Sequence, residues 1–203
     1  GDIKEPVEKF TKMVEFRVKY GLDEIRKRFE GGMKPHEFPG YNEAHNGFVL
    51  SFDLCSGRAR DGSPINIECT PKHNFQALFS IPVALYDQYV IHNLEWHAFL
   101  LDQISVQTGL LNGFVKIMDL EGTSMGQLKW VYRWQQHSKE RRVRLGVEIL
   151  ECYPECFGRI AIIHSPSFWA TIWGMIKGYF PVRTAEKVQV ISNKAKCDEL
   201  LRE

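Results

Sequence analysis

Phe114-Val115-Lys116-Ile117-Met118-Asp119-Leu120-Glu121-Gly122 is the stretch that decides the fold. Phe114 to Leu120 reads as a buried strand, and Glu121-Gly122 turns the chain. Upstream, a long helix should follow Pro82, a good first-turn residue, and run to about Gln107, with Gly109 ending it. Leu85, Tyr89, His92, Trp96 and Phe99 mark its expected buried stripe. Before that helix, Ile65-Asn66-Ile67 is extended after a turn at Asp61-Gly62. Downstream, a helix should run from about Met125 to Glu151 until Pro154 breaks it, and Arg159 to His164 forms a further apolar strand. Ser167 can cap a helix from Phe168 to about Tyr179. Val188 to Ile191 is a last short strand, and Asn193 begins a final amphipathic turn or two. Strand and helix alternating in this way predict an α/β fold with a mixed, mainly parallel sheet flanked by helices.

The first forty residues read differently. Residues 5 to 20 form an amphipathic helix in which Val7, Phe10, Val14 and Val18 recur at helical spacing. Gly21 ends it, and Asp23 is a plausible N-cap for a shorter helix to about Phe29. Glu30-Gly31-Gly32 through Pro39-Gly40 is a loop, and Phe48 to Leu54 alternates as a strand. The expected organisation is a small N-terminal helical lobe over residues 1–40 and the α/β domain over 41–203.

Length and composition set bounds. A chain of 203 residues, 44% hydrophobic and 25% charged, is one globular domain with at most a small appendage. No apolar run reaches the length of about 18 residues that spans a bilayer. Net charge is +1, which argues against a nucleic-acid binder. The five cysteines show no readable disulfide framework, so a reducing compartment is expected. The first residue is Gly and not Met, so the N-terminus is read as trimmed and the organelle is not legible.

The common catalytic signatures are absent: no phosphate loop, no G-x-G-x-x-G, no G-x-S-x-G and no H-E-x-x-H. His92 and His97 are five apart and do not stack on one helical face, so both read as structural or surface residues. Cys152 and Cys156 lack a second pair in zinc register. Between Lys129 and Arg144 six basic residues face Glu140 alone, interleaved with Trp130, Tyr132 and Trp134. A solvated helix face and a patch for anionic headgroups both fit, and Arg141, Arg142 and Arg144 are the candidate contacts. From Phe168 to Phe180 apolar residues cover nearly the whole helix circumference. Such a helix is either core or a lid over an apolar pocket, with Phe168, Trp169, Ile172, Trp173, Ile176 and Phe180 as the gate residues.

With these motifs in place the chain resembles the CRAL-TRIO lipid-binding domain family, which includes fungal phosphatidylinositol/phosphatidylcholine transfer proteins. Asp61-Gly62-Ser63-Pro64 resembles that family's DGRP turn, Met118-Asp119-Leu120-Glu121-Gly122 its MDLxG, and Tyr153-Pro154-Glu155 its YPE. Ile162-Ile163-His164-Ser165-Pro166 stands where the family has IINAP. Thr184-Ala185-Glu186-Lys187-Val188 resembles TxxKI, and Phe16-Arg17-Val18-Lys19-Tyr20-Gly21 resembles WRxxYG. The likeness covers about residues 10 to 192. The longer helical lobe with its headgroup-contacting basic residue has no counterpart, and the chain stops at Glu203 before the family's usual close, so it reads as a fragment or a reduced variant.

The resemblance implies a curved sheet flooring an apolar lipid cavity closed by the gate helix, with no catalysis and no cofactor other than the bound lipid. It places an inositol-phosphate site on Glu155, Thr184 and Lys187 and cavity lining on Phe114, Lys116 and Met118. The choline-site positions fall on Phe114, Lys116 and Asn66. A lone buried ammonium at Lys116 is costly, so it demands an acidic partner or an anionic ligand. That leans the expectation toward phosphatidylinositol or another acidic phospholipid. The expected partners are this lipid, an anionic membrane surface and conceivably a protein; the expected location is cytoplasmic and peripheral to a membrane. The competing reading keeps the fold but fills the cavity, making a structural or recruitment domain.

Overall fold

The computed structural model describes residues 4–48, 51–52, 57–146, 149–153, 155–179 and 182–202. The chain opens with α1 (Lys4–Tyr20), α2 (Leu22–Glu30) and α3 (Tyr41–Gly47), followed by β1 (Ser51–Phe52) and β2 (Ile65–Cys69). Then come α4 (Phe75–Ser80), α5 (Val83–Thr108), β3 (Phe114–Asp119), α6 (Leu128–Leu145) and β4 (Phe157–Ile163). The last elements are α7 (Trp169–Ile176), α8 (Val182–Glu186), β5 (Val188–Val190) and α9 (Lys194–Leu200). Gly109 and Gly146 close α5 and α6 in the left-handed conformation, at φ 70° and 75°, which only glycine adopts without strain.

One sheet carries the strands in the order β1-β2-β3-β4-β5, with β2 to β5 parallel and β1 antiparallel at the edge. Parallel neighbours in chain order, joined by right-handed crossovers, put every crossover helix on one side of the sheet. The contacts agree. His97 of α5 meets the Phe114 ring at 5.5 Å, and Trp169 and Ile172 of α7 pack with Leu120 and Ile162. By register that face carries Asn66 and Glu68, Lys116 and Met118, Ile160 and Ile162, and Val188 and Val190. The opposite face, built on Val115, Ile117, Ala161 and Ile163, is covered by α9 through Cys197 and Leu200.

A larger core lies beyond the sheet. Phe16, Leu22, Ile25 and Phe29 of the first two helices pack with Phe38, Ile91, Trp96 and Phe114 in one cluster, which crosses the boundary expected at residue 40. Phe29 and Trp96 meet edge to face at 5.2 Å, a contact worth about 0.5–1.5 kcal/mol beyond area burial. At its centre Glu95 is fully buried, with Arg17 Nη1 at 3.3 Å and Arg26 Nη1 at 3.5 Å. Arg17 also holds Asp23 at 2.7 Å, and Arg26 pairs with Asp102.

Several local expectations are corrected. On α1 the apolar stripe faces outward: Val7, Phe10, Val14 and Val18 are all exposed, and Phe16 is the buried residue. Phe16 and Arg17 win because they are the residues that reach α5. Asp23 is not an N-cap; α2 starts at Leu22 behind Gly21 at φ 61°, and Asp23 is taken by Arg17. Of the expected α5 stripe His92 and Trp96 are buried, but the remainder of the buried set is Tyr86, Asp87, Ile91, Glu95 and Leu101. Asp87 and Glu95 enter that set because each meets an arginine, and His92 because its Nδ1 bonds the Gln88 carbonyl. The helix expected to Glu151 ends at Leu145, and a 3₁₀ turn covers Ile149–Cys152. Short helices α3 and α4 occupy stretches for which the sequence suggested no element, and the strand expected over Phe48 to Leu54 is described at Ser51–Phe52. Ser167 caps nothing: Phe168 occupies the N-cap of α7 with no side-chain bond.

The chain just before β3 passes close to β4 at Gly113 and Gly158, where a Cβ on Gly113 would lie 2.6 Å from the Gly158 backbone nitrogen. The β3–β4 register shifts beside this seam, between Phe114 and Val115.

Glu95 generates a stability prediction. Glu95→Gln removes the charge that Arg17 and Arg26 share. Removing one member of a buried ionic cluster costs about 3–5 kcal/mol, and the partly exposed arginines put this case near about 3. Thermal unfolding should show a melting temperature lower by roughly 6–12 °C. A loss under about 2 °C would mean that the apolar contacts alone hold α1 and α2 in place.

Candidate functional site

The helix-covered face is where sequence and structure converge. Phe114, Lys116 and Met118 share it, as strand alternation requires. Phe114 is buried against Phe157, with ring centroids 4.6 Å apart. Lys116 does not stand alone. Its ammonium donates to Asn66 Oδ1 at 2.6 Å and to Glu68 Oε2 at 2.5 Å. Glu68 also meets His73 Nε2 at 2.9 Å, and Phe48 and Phe75 set their rings edge-on to that imidazole. Burial raises the Glu68 carboxyl, but the Lys116 ammonium and the His73 hydrogen bond outweigh it and hold the group well below the usual carboxylate range. Burial, and then the Lys116 charge, push His97 down to about 3, so its ring faces this region neutral.

Sequence reasoning asked for an acidic partner or an anionic ligand at Lys116, and the partner is Glu68. The argument from Lys116 toward an acidic lipid therefore falls away. Glu68 was missed, although a signal existed: Asn66 and Glu68 alternate along β2 with the same parity that puts Lys116 on this face.

Farther along the face, α7 covers the apolar floor. Trp169 and Ile172 are buried against Ile162 and Leu120, with Phe168, Trp173, Met118, Val188 and Val190 packed around them. Trp169 and Trp173, two of the expected gate residues, thus pack toward the sheet around Ile162. The outward side of α7 carries exposed Met175. The side chain of Ile176, and Phe180 altogether, lie outside the described residues.

Glu155, Thr184 and Lys187 come together at the rim where β4 and β5 begin. Lys187 Nζ donates to Glu155 Oε2 at 2.8 Å and to the Phe157 carbonyl at 2.7 Å. The Lys187 backbone N–H donates to the Thr184 carbonyl at 3.2 Å. The exposed Arg183 stands 3.8 Å from Glu155 Oε1. The Lys187 hydrogen bond and charge hold the Glu155 carboxyl below its ordinary range. Glu155 sits at φ 61°, a backbone conformation that non-glycine residues rarely adopt and that often marks a functional turn.

The basic helix divides. Arg144 grips Asp87 in bidentate fashion, Nε to Oδ2 and Nη2 to Oδ1, both at 3.0 Å. It fastens α6 to α5 while staying at the surface. Arg141 is half-buried and its charge acts on the Tyr86 phenol, whereas Arg142 is exposed. Lys129 and Arg133 lie over the Trp130 ring, which is stacked between Phe75 and Phe79. No helix among the described residues is long and apolar enough to cross a membrane.

Comparison with known proteins gives this architecture relatives. The chain is 22% identical over 202 residues to "Sec14 cytosolic factor" of Schizosaccharomyces pombe, covering 96% of this chain and 63% of that protein. It is 21% identical over 199 residues to "Phosphatidylinositol/phosphatidylcholine transfer protein SFH12" of Arabidopsis thaliana, covering 95% of this chain and 33% of that protein. It therefore spans less than two thirds of the length of these relatives. Among solved structures, "Crystal structure of Sfh5" superposes with a TM-score of 0.59 at 17% identity, covering 94% of this chain and 62% of that one. The CRAL/TRIO domain profile matches residues 56–203, which take in the whole parallel sheet, the helix over its apolar floor and the charged rim. The chain belongs to the CRAL/TRIO domain family.

Proposed function

We propose that the domain binds a phospholipid, without catalysis, between its helix-covered sheet face and α7, and passes it between membranes. The favoured ligand is phosphatidylinositol. The observation that carries this reading is the placement of Glu155, Thr184 and Lys187 at the rim from which Ile160, Val188, Ile162 and Val190 lead inward beneath α7. A headgroup at the rim and acyl chains along that apolar rail match the two halves of such a lipid. Glu155 accepts from inositol hydroxyls, Lys187 offers its charge to the phosphate, and the Thr184 hydroxyl donates to a phosphate oxygen. The relatives named as phosphatidylinositol/phosphatidylcholine transfer proteins support the ligand class.

Lipid extracted from the purified chain tests the reading. Hydrogen bonds to charged groups are worth about 1.5–3 kcal/mol, so Lys187→Ala should lower phosphatidylinositol loading roughly ten- to a hundred-fold. Its melting temperature, read alongside, separates lost headgroup contact from the lost bonds to Glu155 and the Phe157 carbonyl. Wild-type protein that carries no lipid and takes none from vesicles would instead support the recruitment domain with a filled cavity.

The membrane partner in this reading is an anionic surface, with Arg142 as its exposed basic contact. Arg142→Glu should reduce co-sedimentation with anionic vesicles, and the difference should shrink as salt rises. Arg144→Ala should behave otherwise, lowering stability by about 1–3 kcal/mol because Asp87 is left half-paired. Vesicle binding indifferent to both salt and Arg142→Glu would sink the electrostatic contribution.

A further inference from the structure

The opposite edge of the sheet, where the parallel strands end, carries a cluster that lipid binding does not use. Asp119 is the last residue of β3, Glu121 lies in the turn that follows, and His164 is the first residue after β4. The strand ends are tied together by Leu120 N–H to the Ile163 carbonyl at 3.1 Å. One donor atom from each of the three side chains lies within 4.8 Å of the other two.

Asp119 Oδ1 accepts from the Glu121 backbone N–H at 2.9 Å and meets His164 Nδ1 at 2.9 Å. These bonds explain the carboxylate of Asp119 and one nitrogen of the imidazole. The other ring nitrogen and the Glu121 carboxylate have no partner among the described residues. His164 is held at φ 49°. Asparagine suits that left-handed backbone at least as well, and its amide could donate to Asp119 equally. The imidazole adds what an amide lacks, a second nitrogen that can coordinate. A further polar group in the same turn is orphaned: Thr123, whose N–H closes the turn on the Leu120 carbonyl, has a buried hydroxyl oxygen without a hydrogen-bond partner among the described residues.

We propose that Asp119, Glu121 and His164 bind a divalent transition-metal ion, with zinc the best match to one imidazole and two carboxylates. Ligand atoms about 2.1 Å from a tetrahedral ion stand about 3.4 Å apart. The Asp119–His164 pair therefore opens by about half an ångström as the ion replaces the shared proton. Glu121, exposed on its turn, swings in to complete three protein ligands. The coordination left open is available to water. The site lies a strand length, roughly 20 Å, from the Glu155–Lys187 rim, so it is separate from the lipid reading.

Titration of the purified chain with zinc chloride, and separately with magnesium chloride, tests the assignment. Wild type should take up one equivalent of zinc and bind magnesium at least about a hundred-fold more weakly. His164→Asn, which suits the backbone and keeps a donor for Asp119, should melt like wild type. It should lose zinc affinity by at least 10–100-fold, the loss usual for weakening a metal site. Glu121→Gln, an exposed change, should weaken binding in the same direction. Cobalt substituted for zinc should show a spectrum of nitrogen and oxygen ligands. The assignment is overturned by no zinc uptake, by equal affinity in wild type and His164→Asn, by magnesium binding as tightly as zinc, or by a thiolate charge-transfer band placing cobalt on cysteine.

Discussion

A carboxylate sealed from water fixes the relation between the two parts of the chain. Glu95 has no exposure and is answered from α1 by Arg17 and from α2 by Arg26. An unpaired charge there would be expensive, so the two leading helices cannot drift from α5 without stranding it. Their docking in turn presses α5 toward the sheet, where His97 reaches Phe114 and the Lys116 region. The ionic cluster adds direction more than strength, since apolar contact alone is indifferent to rotation about the helix axis.

The sheet uses its chemistry unevenly. Helices α5 and α7 meet one face, and that face holds both an ionic group, Lys116 with Glu68 and His73, and an apolar floor beneath α7. The second face is sealed by α9 and carries packing only. A domain wound in this one-sided manner concentrates its polar and apolar variety on the helix-covered side, and the other side needs only α9 to close it. The two strand edges then offer independent places for polar groups, one before β4 and β5 and one after β3 and β4.

Much of this was legible in the sequence, and the exceptions share a cause. Strands β3, β4 and β5 and the long helix α5 were readable because apolar runs and glycine stops are local signals. Glu155, Thr184 and Lys187 were reachable by resemblance, although nothing local says that residues 155 and 187 meet. What escaped were Glu95, Asp87 and Arg144, charged residues whose partners are distant in the chain. Nothing local marks Glu95 or Asp87, and Arg144 reads as one more member of a basic run. Each is explained only by its partner in space. The outward stripe of α1 failed for the complementary reason. Periodicity tells that a helix has an apolar face, but the buried ionic contact at Arg17 decides which face turns inward.

The seam at Gly113 and Gly158 has a consequence for how such a chain can diverge. The atom an added Cβ would strike at Gly113 is backbone on the facing strand, so no rotamer change in a neighbour relieves it. Escape requires the two strands to separate, and β4 sets the start of the rim that holds Glu155. Drift in the sequence can therefore remake the lining of the floor residue by residue while this crossing stays fixed, and the spacing of the strands is inherited more rigidly than the chemistry they display.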